Sequence, residues 1–137
     1  MSTGIEAILL IVGRLLFGGV LAYTGIGHFT GTEGMAQYAE YKGLPAPKLS
    51  VLASGALLVV CGIGVVVGVF PVVAAVVLAG FLVVSAVMMH DFWNVDEEQR
   101  QSEVNNFQKN IAMAGGALIL ASVAANGWAM GLGIGAF

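Results

Sequence analysis

The chain has 137 residues, of which 58% are hydrophobic and only 9% charged, where an ordinary soluble domain carries about 25% charged residues. A water-facing surface cannot be built from that composition, so residues 1–137 read as a single integral membrane domain. The formal net charge of -3 comes mostly from one polar loop, and no basic patch is present to hold nucleic acid.

Four apolar runs divide the chain, each near the roughly 20 residues that a hydrocarbon core requires. The first covers about residues 5–29, with Glu6 at its start and Arg14 near mid-depth. It carries no Lys/Arg-rich lead and no small-residue cleavage site, so it is expected to stay as a membrane helix. Residues 32–43 follow as a short helix. Thr32 is placed to cap it, and Glu33 sits in its first turn. Met35, Tyr38, Ala39 and Lys42 share one of its faces, which suits a segment lying in the membrane interface. Gly43 is suited to end it, and Pro45 and Pro47 keep the chain extended up to Leu49.

The second span is expected at about 49–70 and the third at about 72–90. Pro71 between them leaves room only for a tight turn, so the two form an antiparallel hairpin. The fourth is expected at about 106–126, ending near Asn126, Gly127 and Trp128. The tail GLGIGAF is expected to be loosely held. Valine favours strands in water, but in lipid every backbone polar group must be paired internally, so each span is a helix. Gly64 and Gly68 form a GxxxG step, and Gly115 with Gly116 opens a flat face; close helix contact is expected at both.

The fold class is therefore all-α: a four-transmembrane-helix bundle with both longer loops on one side and both termini on the other. Lys42, Lys48, Arg100 and Lys109 lie on the loop side. The positive-inside rule then places loops 30–48 and 91–105 of a multi-pass cell-membrane protein in the cytoplasm.

Chemistry is sought where polarity is concentrated. His28 ends the first span, His90 and Asp91 end the third, and Asn106, Lys109 and Asn110 open the fourth. All lie at one end of the bundle, ringed by Phe29, Phe92, Trp93 and Phe107. One account is structural: aromatic residues gather at interfaces, Asn and Asp cap helices, and Lys snorkels. The other is a site, because polar groups near a bilayer are expensive. In the second account Asp91 pairs with a cation or histidine from another helix, Lys109 first. The spacing of two His and one Asp matches no standard metal motif, so no metal is assigned.

Arg14 also has two accounts. An arginine at mid-depth costs on the order of 2.5 kcal/mol or more to insert. It either snorkels toward Glu6 or the carbonyls near the hairpin turn, or faces the bundle interior as a donor to an anion or a quinone oxygen. Cys61 is the only cysteine. It excludes an intrachain disulfide and reads as a small packing residue.

Several of these pieces carry a family resemblance. They are Gly13-Arg14, Gly25-Ile26-Gly27-His28-Phe29, Tyr38 through Lys42-Gly43-Leu44-Pro45-Ala46-Pro47, His90-Asp91-Phe92-Trp93 and Asn106-Phe107-Gln108-Lys109-Asn110. From Gly13 to about Ala125 the chain resembles the DoxX family of small four-helix membrane proteins. One position departs: many relatives carry a glutamate early in the second span, and here Leu58 stands there.

The resemblance implies a membrane subunit similar to those linked to quinol oxidase and thiosulfate:quinone oxidoreductase activity. If the chain is catalytic, it is so as a component of a quinone-dependent oxidoreductase. His90, Asp91 and Lys109 are then the candidates for proton handling, since histidine titrates near neutrality. Arg14, His28, Trp93, Asn106 and Asn110 are the candidates for holding the quinone. Neither a haem ligand pair nor a cysteine cluster for iron–sulfur is found in the sequence. Membrane lipid and either a partner subunit or a second copy are the expected neighbours. The alternatives are a non-catalytic scaffold that docks a partner and a small transporter or lipid-binding bundle.

Overall fold

The computed structural model describes residues 4–128 together with 131, 134 and 135, so most of the expected loose tail lies outside the described residues. Among the described residues there are five α-helices: α1 (Gly4–Thr30), α2 (Thr32–Tyr41), α3 (Pro47–Val67), α4 (Pro71–Met89) and α5 (Glu97–Ala125), with a 3-10 turn at Phe92–Asn94. No strand occurs among the described residues. α1, α3, α4 with the following turn, and α5 are each long and apolar enough to cross a membrane.

The helix ends follow local chemistry, and several differ from expectation. α3 and α4 both open on proline, where the missing N–H is harmless. α3 therefore starts at Pro47 rather than Leu49. It stops at Val67 because Gly68, at φ 75°, adopts the left-handed cap conformation. Thr32 does not cap α2. Its hydroxyl donates to the carbonyls of His28 (2.6 Å) and Phe29 (3.1 Å), so it closes the end of α1 instead. α5 begins at Glu97 rather than near Asn106, because the run after Asp96 is polar yet rich in good helix formers, with Glu97 and Glu98 favoured in a first turn.

The helices associate as two close pairs. α1 packs on α3 through glycines. A Cβ on Gly18 would stand 2.5 Å from the Gly62 carbonyl oxygen, and one on Gly25 would stand 2.7 Å from that of Gly55. Each partner glycine is seven residues from the next, which returns it to the same helix face. α4 packs on α5 through alanines, with Ala75, Ala79, Ala86, Ala114, Ala117 and Ala121 buried. α3 and α4 join the pairs across the hairpin. Of the glycines singled out from the sequence, Gly64 does pack closely, since a Cβ there would stand 2.9 Å from the Val69 carbonyl oxygen and 3.4 Å from the Ala74 Cβ of α4, while the others act differently. Gly68 is the cap of α3, and Gly115 and Gly116 face open space.

Arg14 faces inward and is only 2% exposed, which decides against a lipid-facing side chain. Its Nε donates to the Val65 carbonyl (3.2 Å) and its Nη2 to that of Val66 (2.7 Å). Its guanidinium stacks 4.4 Å from the Trp128 ring centroid. The last carbonyls of a helix lack intrahelical partners, and in a bilayer water cannot supply them. Arg14 therefore closes the end of α3.

The glycine contacts set a clear contrast. Gly62→Ala should lower stability in detergent by about 1–3 kcal/mol through overpacking, whereas Gly115→Ala should change it by less than about 1 kcal/mol. Thermal unfolding of the two variants measures the difference.

Candidate functional site

The two helix pairs diverge at the end opposite the α3–α4 turn, leaving a cleft of about 850 Å³. α2 crosses its mouth. Met35, Tyr38 and Ala39 line it, so this face of α2 turns into the bundle. The cleft wall is mostly aliphatic, including Leu21, Leu57, Leu82 and Met113. His28, Ser54, Tyr38, His90 and Asn110, with the hydroxyls of Thr24, Ser50 and Ser85, supply its polar groups.

Each of these side chains is anchored. Nδ1 of His28 lies 3.0 Å from the Val51 carbonyl and 2.9 Å from Ser54 Oγ. Ser54 donates its own hydrogen to that same carbonyl (2.9 Å). A carbonyl only accepts, so Nδ1 of His28 carries the hydrogen. On the opposite wall, Asn110 Nδ2 donates to the Leu82 carbonyl (3.3 Å).

Above the cleft sits a polar network that contains an ion pair. Lys42, at the C-terminal cap of α2, bonds Asp91, and its side chain is only 6% exposed. It also lies 3.9 Å from Glu103. Glu103 is buried at the inner face of α5. Its Oε1 accepts from Asn106 Nδ2 (3.2 Å) and faces His90 Nδ1 (3.4 Å). Its Oε2 accepts from the Tyr38 hydroxyl (3.3 Å). Donors thus surround Glu103, as an ionised carboxylate requires.

The cation expected opposite Asp91 was Lys109; the structure supplies Lys42. Lys109 lies on the exposed side of α5, because it is offset from the face that carries Glu103, Asn106 and Asn110. Arg14 lies outside the cleft, on the carbonyls at the far end of α3. Trp93 is 55% exposed and packs edge-on against Phe92 and Phe107, which suits an interfacial anchor. The structure brings together His28, His90, Asp91, Asn106 and Asn110. Glu103 and Tyr38 were not singled out from the sequence as site residues. A signal was present for Glu103: it shares a helix face with Asn106, Phe107 and Asn110 at i, i+3, i+4 and i+7.

Burial pulls the Lys42 ammonium down, but the hydrogen bond to Asp91 and the neighbouring Tyr38 and Glu103 outweigh it and hold its pKa above the ordinary value of 10.5. Burial, followed by Glu103, raises the Tyr38 phenol above 10.0 against the opposing pull of Lys42. Both groups bind their protons more tightly folded than unfolded. Their stabilisation is therefore complete below about pH 10 and is lost as pH rises through the higher folded values. Lys42→Met leaves Asp91 and Glu103 without this cation, and should cost about 3–5 kcal/mol at neutral pH. Thermal melts across pH 8–11 should show the wild-type alkaline decline flattened in that variant.

Comparison with known proteins agrees with this architecture. Residues 9–91, more than half of the chain, match the DoxX family. The match ends at Asp91, so α5 and its Glu103 lie beyond it. The chain is also 28% identical to inner membrane protein YphA of Escherichia coli (strain K12) over 114 residues, covering 83% of this chain and 81% of that protein. No solved structure matches. On the family match and the four apolar helices, the chain is a multi-pass membrane protein that belongs to the DoxX family.

Proposed function

We propose that this protein is the membrane subunit of a quinone-linked redox system and holds a quinone ring in the cleft between its helix pairs. The cleft carries the proposal. Its volume of about 850 Å³ falls within the range of about 300–1,000 Å³ usual for small-molecule sites. Its wall is mostly apolar, with His28, His90, Asn110 and Tyr38 and the hydroxyls of Thr24, Ser50, Ser54 and Ser85 as its polar groups, which suits a lipophilic ring with two polar oxygens. The ring is placed near the cap and its tail along the aliphatic wall of α1, α3 and α4. His90 and Asp91 remain the candidates for proton handling. Lys109 and Arg14 have no part in the cleft, and Arg14 instead supports the helix end that holds the pairs together.

Electrons leave or enter through a redox partner, either a separate subunit or a soluble carrier. The positive charges of Lys42, Lys48, Arg100 and Lys109 favour a cytoplasmic position for the capped end. Labelling of an engineered cysteine at Gln101 by an impermeant reagent in intact cells would contradict that orientation.

Extraction and mass spectrometry of protein purified in mild detergent test the cleft itself. Wild-type protein should carry quinone at near one per chain. Leu57→Trp, which fills the cleft, should lose at least about nine-tenths of it while its melting temperature stays within a few degrees of wild type. Retention of phospholipid alone, with quinone absent, would support a lipid-binding bundle instead.

A further inference from the structure

The polar atoms of the cleft are unevenly committed. Thr24 and Ser50 donate their hydroxyl hydrogens to the Val20 and Pro45 carbonyls. Ser54 donates to Val51, and Tyr38 is within reach of both Glu103 and the Met89 carbonyl. What these groups have left to offer a ligand is lone pairs. The histidines follow the same pattern. His28 Nδ1 carries its hydrogen toward Val51. His90 Nδ1 faces Glu103, a carboxylate that also accepts from Asn106 and Tyr38, so this nitrogen too carries the hydrogen. In a neutral imidazole the other nitrogen is then an acceptor. Neither Nε2 has a partner among the described residues. Ser85 and the second amide hydrogen of Asn110 are the donors that remain in the lining.

We infer that the cleft favours the reduced, dihydroxy form of its ring ligand, and that a carbonyl of the oxidised form sits on a histidine Nε2 only with uptake of a proton at His90 or His28. The inference rests on the quinone reading of the cleft. The two forms differ by two electrons and two protons, and each ring oxygen changes from donor to pure acceptor on oxidation. A quinol hydroxyl donates to a neutral Nε2 directly. A quinone carbonyl needs an N–H there, and with Nδ1–H already engaged the ring must become imidazolium. That proton comes from water.

Charged side chains surround His90. Lys42 from α2 and Asp91 and Glu103 from the α4–α5 side give the cluster one positive and two negative charges around it, with Tyr38 the remaining titratable neighbour. An imidazolium at His90 brings the cluster to neutrality. Around His28 the polar neighbours are a carbonyl and a serine hydroxyl, with no charged group bonded to the ring among the described residues.

Anaerobic calorimetric titration of the full-length protein in detergent tests this, using decyl-benzoquinone and its quinol from pH 5.5 to 8.5. The quinol should bind with affinity nearly independent of pH. Quinone affinity should fall by about tenfold per pH unit once imidazole is neutral, as one-proton linkage demands. At pH 8 the quinol should be favoured at least about tenfold. His90→Gln, whose amide donates without titrating, should remove that slope while still binding quinone. His28→Gln, measured alongside, locates any slope that persists. Binding of both forms with the same pH dependence, or a slope unchanged in both variants, overturns the inference and leaves the cleft reading intact. Failure of both forms to bind wild-type protein overturns the two together.

Discussion

Close backbone contact between α1 and α3 is the constraint on which the rest depends. In a bilayer, lipid tails are as apolar as leucine, so burying apolar side chains does little to hold helices together. Packing must supply the attraction, and packing is strongest where no side chain intervenes. Gly18, Gly25, Gly55 and Gly62 let two helices approach until a Cβ on either side would collide with a carbonyl. Buried alanines line the contact between α4 and α5. Two tight pairs joined by a hairpin need not close against each other along their whole length. Where they part, the cleft opens, and α2 with the polar cap covers its mouth.

The two ends of the bundle solve the same problem with different chemistry. At the turn end, Arg14 brings a charge into the membrane and satisfies the last carbonyls of α3, with Trp128 stacked on its guanidinium. At the cap end, Lys42 pairs with the half-buried Asp91 and lies near the buried Glu103. A buried ion pair is weak evidence for stability, since its desolvation offsets much of its attraction. Its effect here is to fix positions. Glu103 is held by donors from α2, α4 and α5, and it in turn fixes which nitrogen of His90 carries hydrogen. The tautomers at His28 and His90 are what a ligand in the cleft would meet.

The spans were legible in the sequence because length and hydropathy dominate in lipid, and no other backbone arrangement pairs its own hydrogen bonds there. The cap was legible as a set of helix ends, and His28, His90, Asp91, Asn106 and Asn110 do converge. Its wiring was not. α5 starts in a polar segment that hydropathy cannot see, so Glu103 looked like one acidic loop residue among several. Lys109 was the natural partner for Asp91 by proximity in sequence, yet the helical face it occupies points outward. Lys42 reaches Asp91 only because α2 folds back over the cleft, a tertiary fact that α2's own pattern does not specify. The seven-residue glycine spacing was present in the sequence, but it is identifiable only once α1 and α3 are known to be neighbours.

Photoaffinity mapping tests the central claim most directly. Purified protein would be illuminated with an azido-benzoquinone, digested and sequenced by mass spectrometry. The account predicts label on the segments around His28, Ser54 and Met88–His90, abolished by excess unlabelled quinol. Label spread over the exposed outer faces, such as Ile5–Leu16 of α1 or Leu118–Ile119 of α5, and indifferent to competitor, would contradict it.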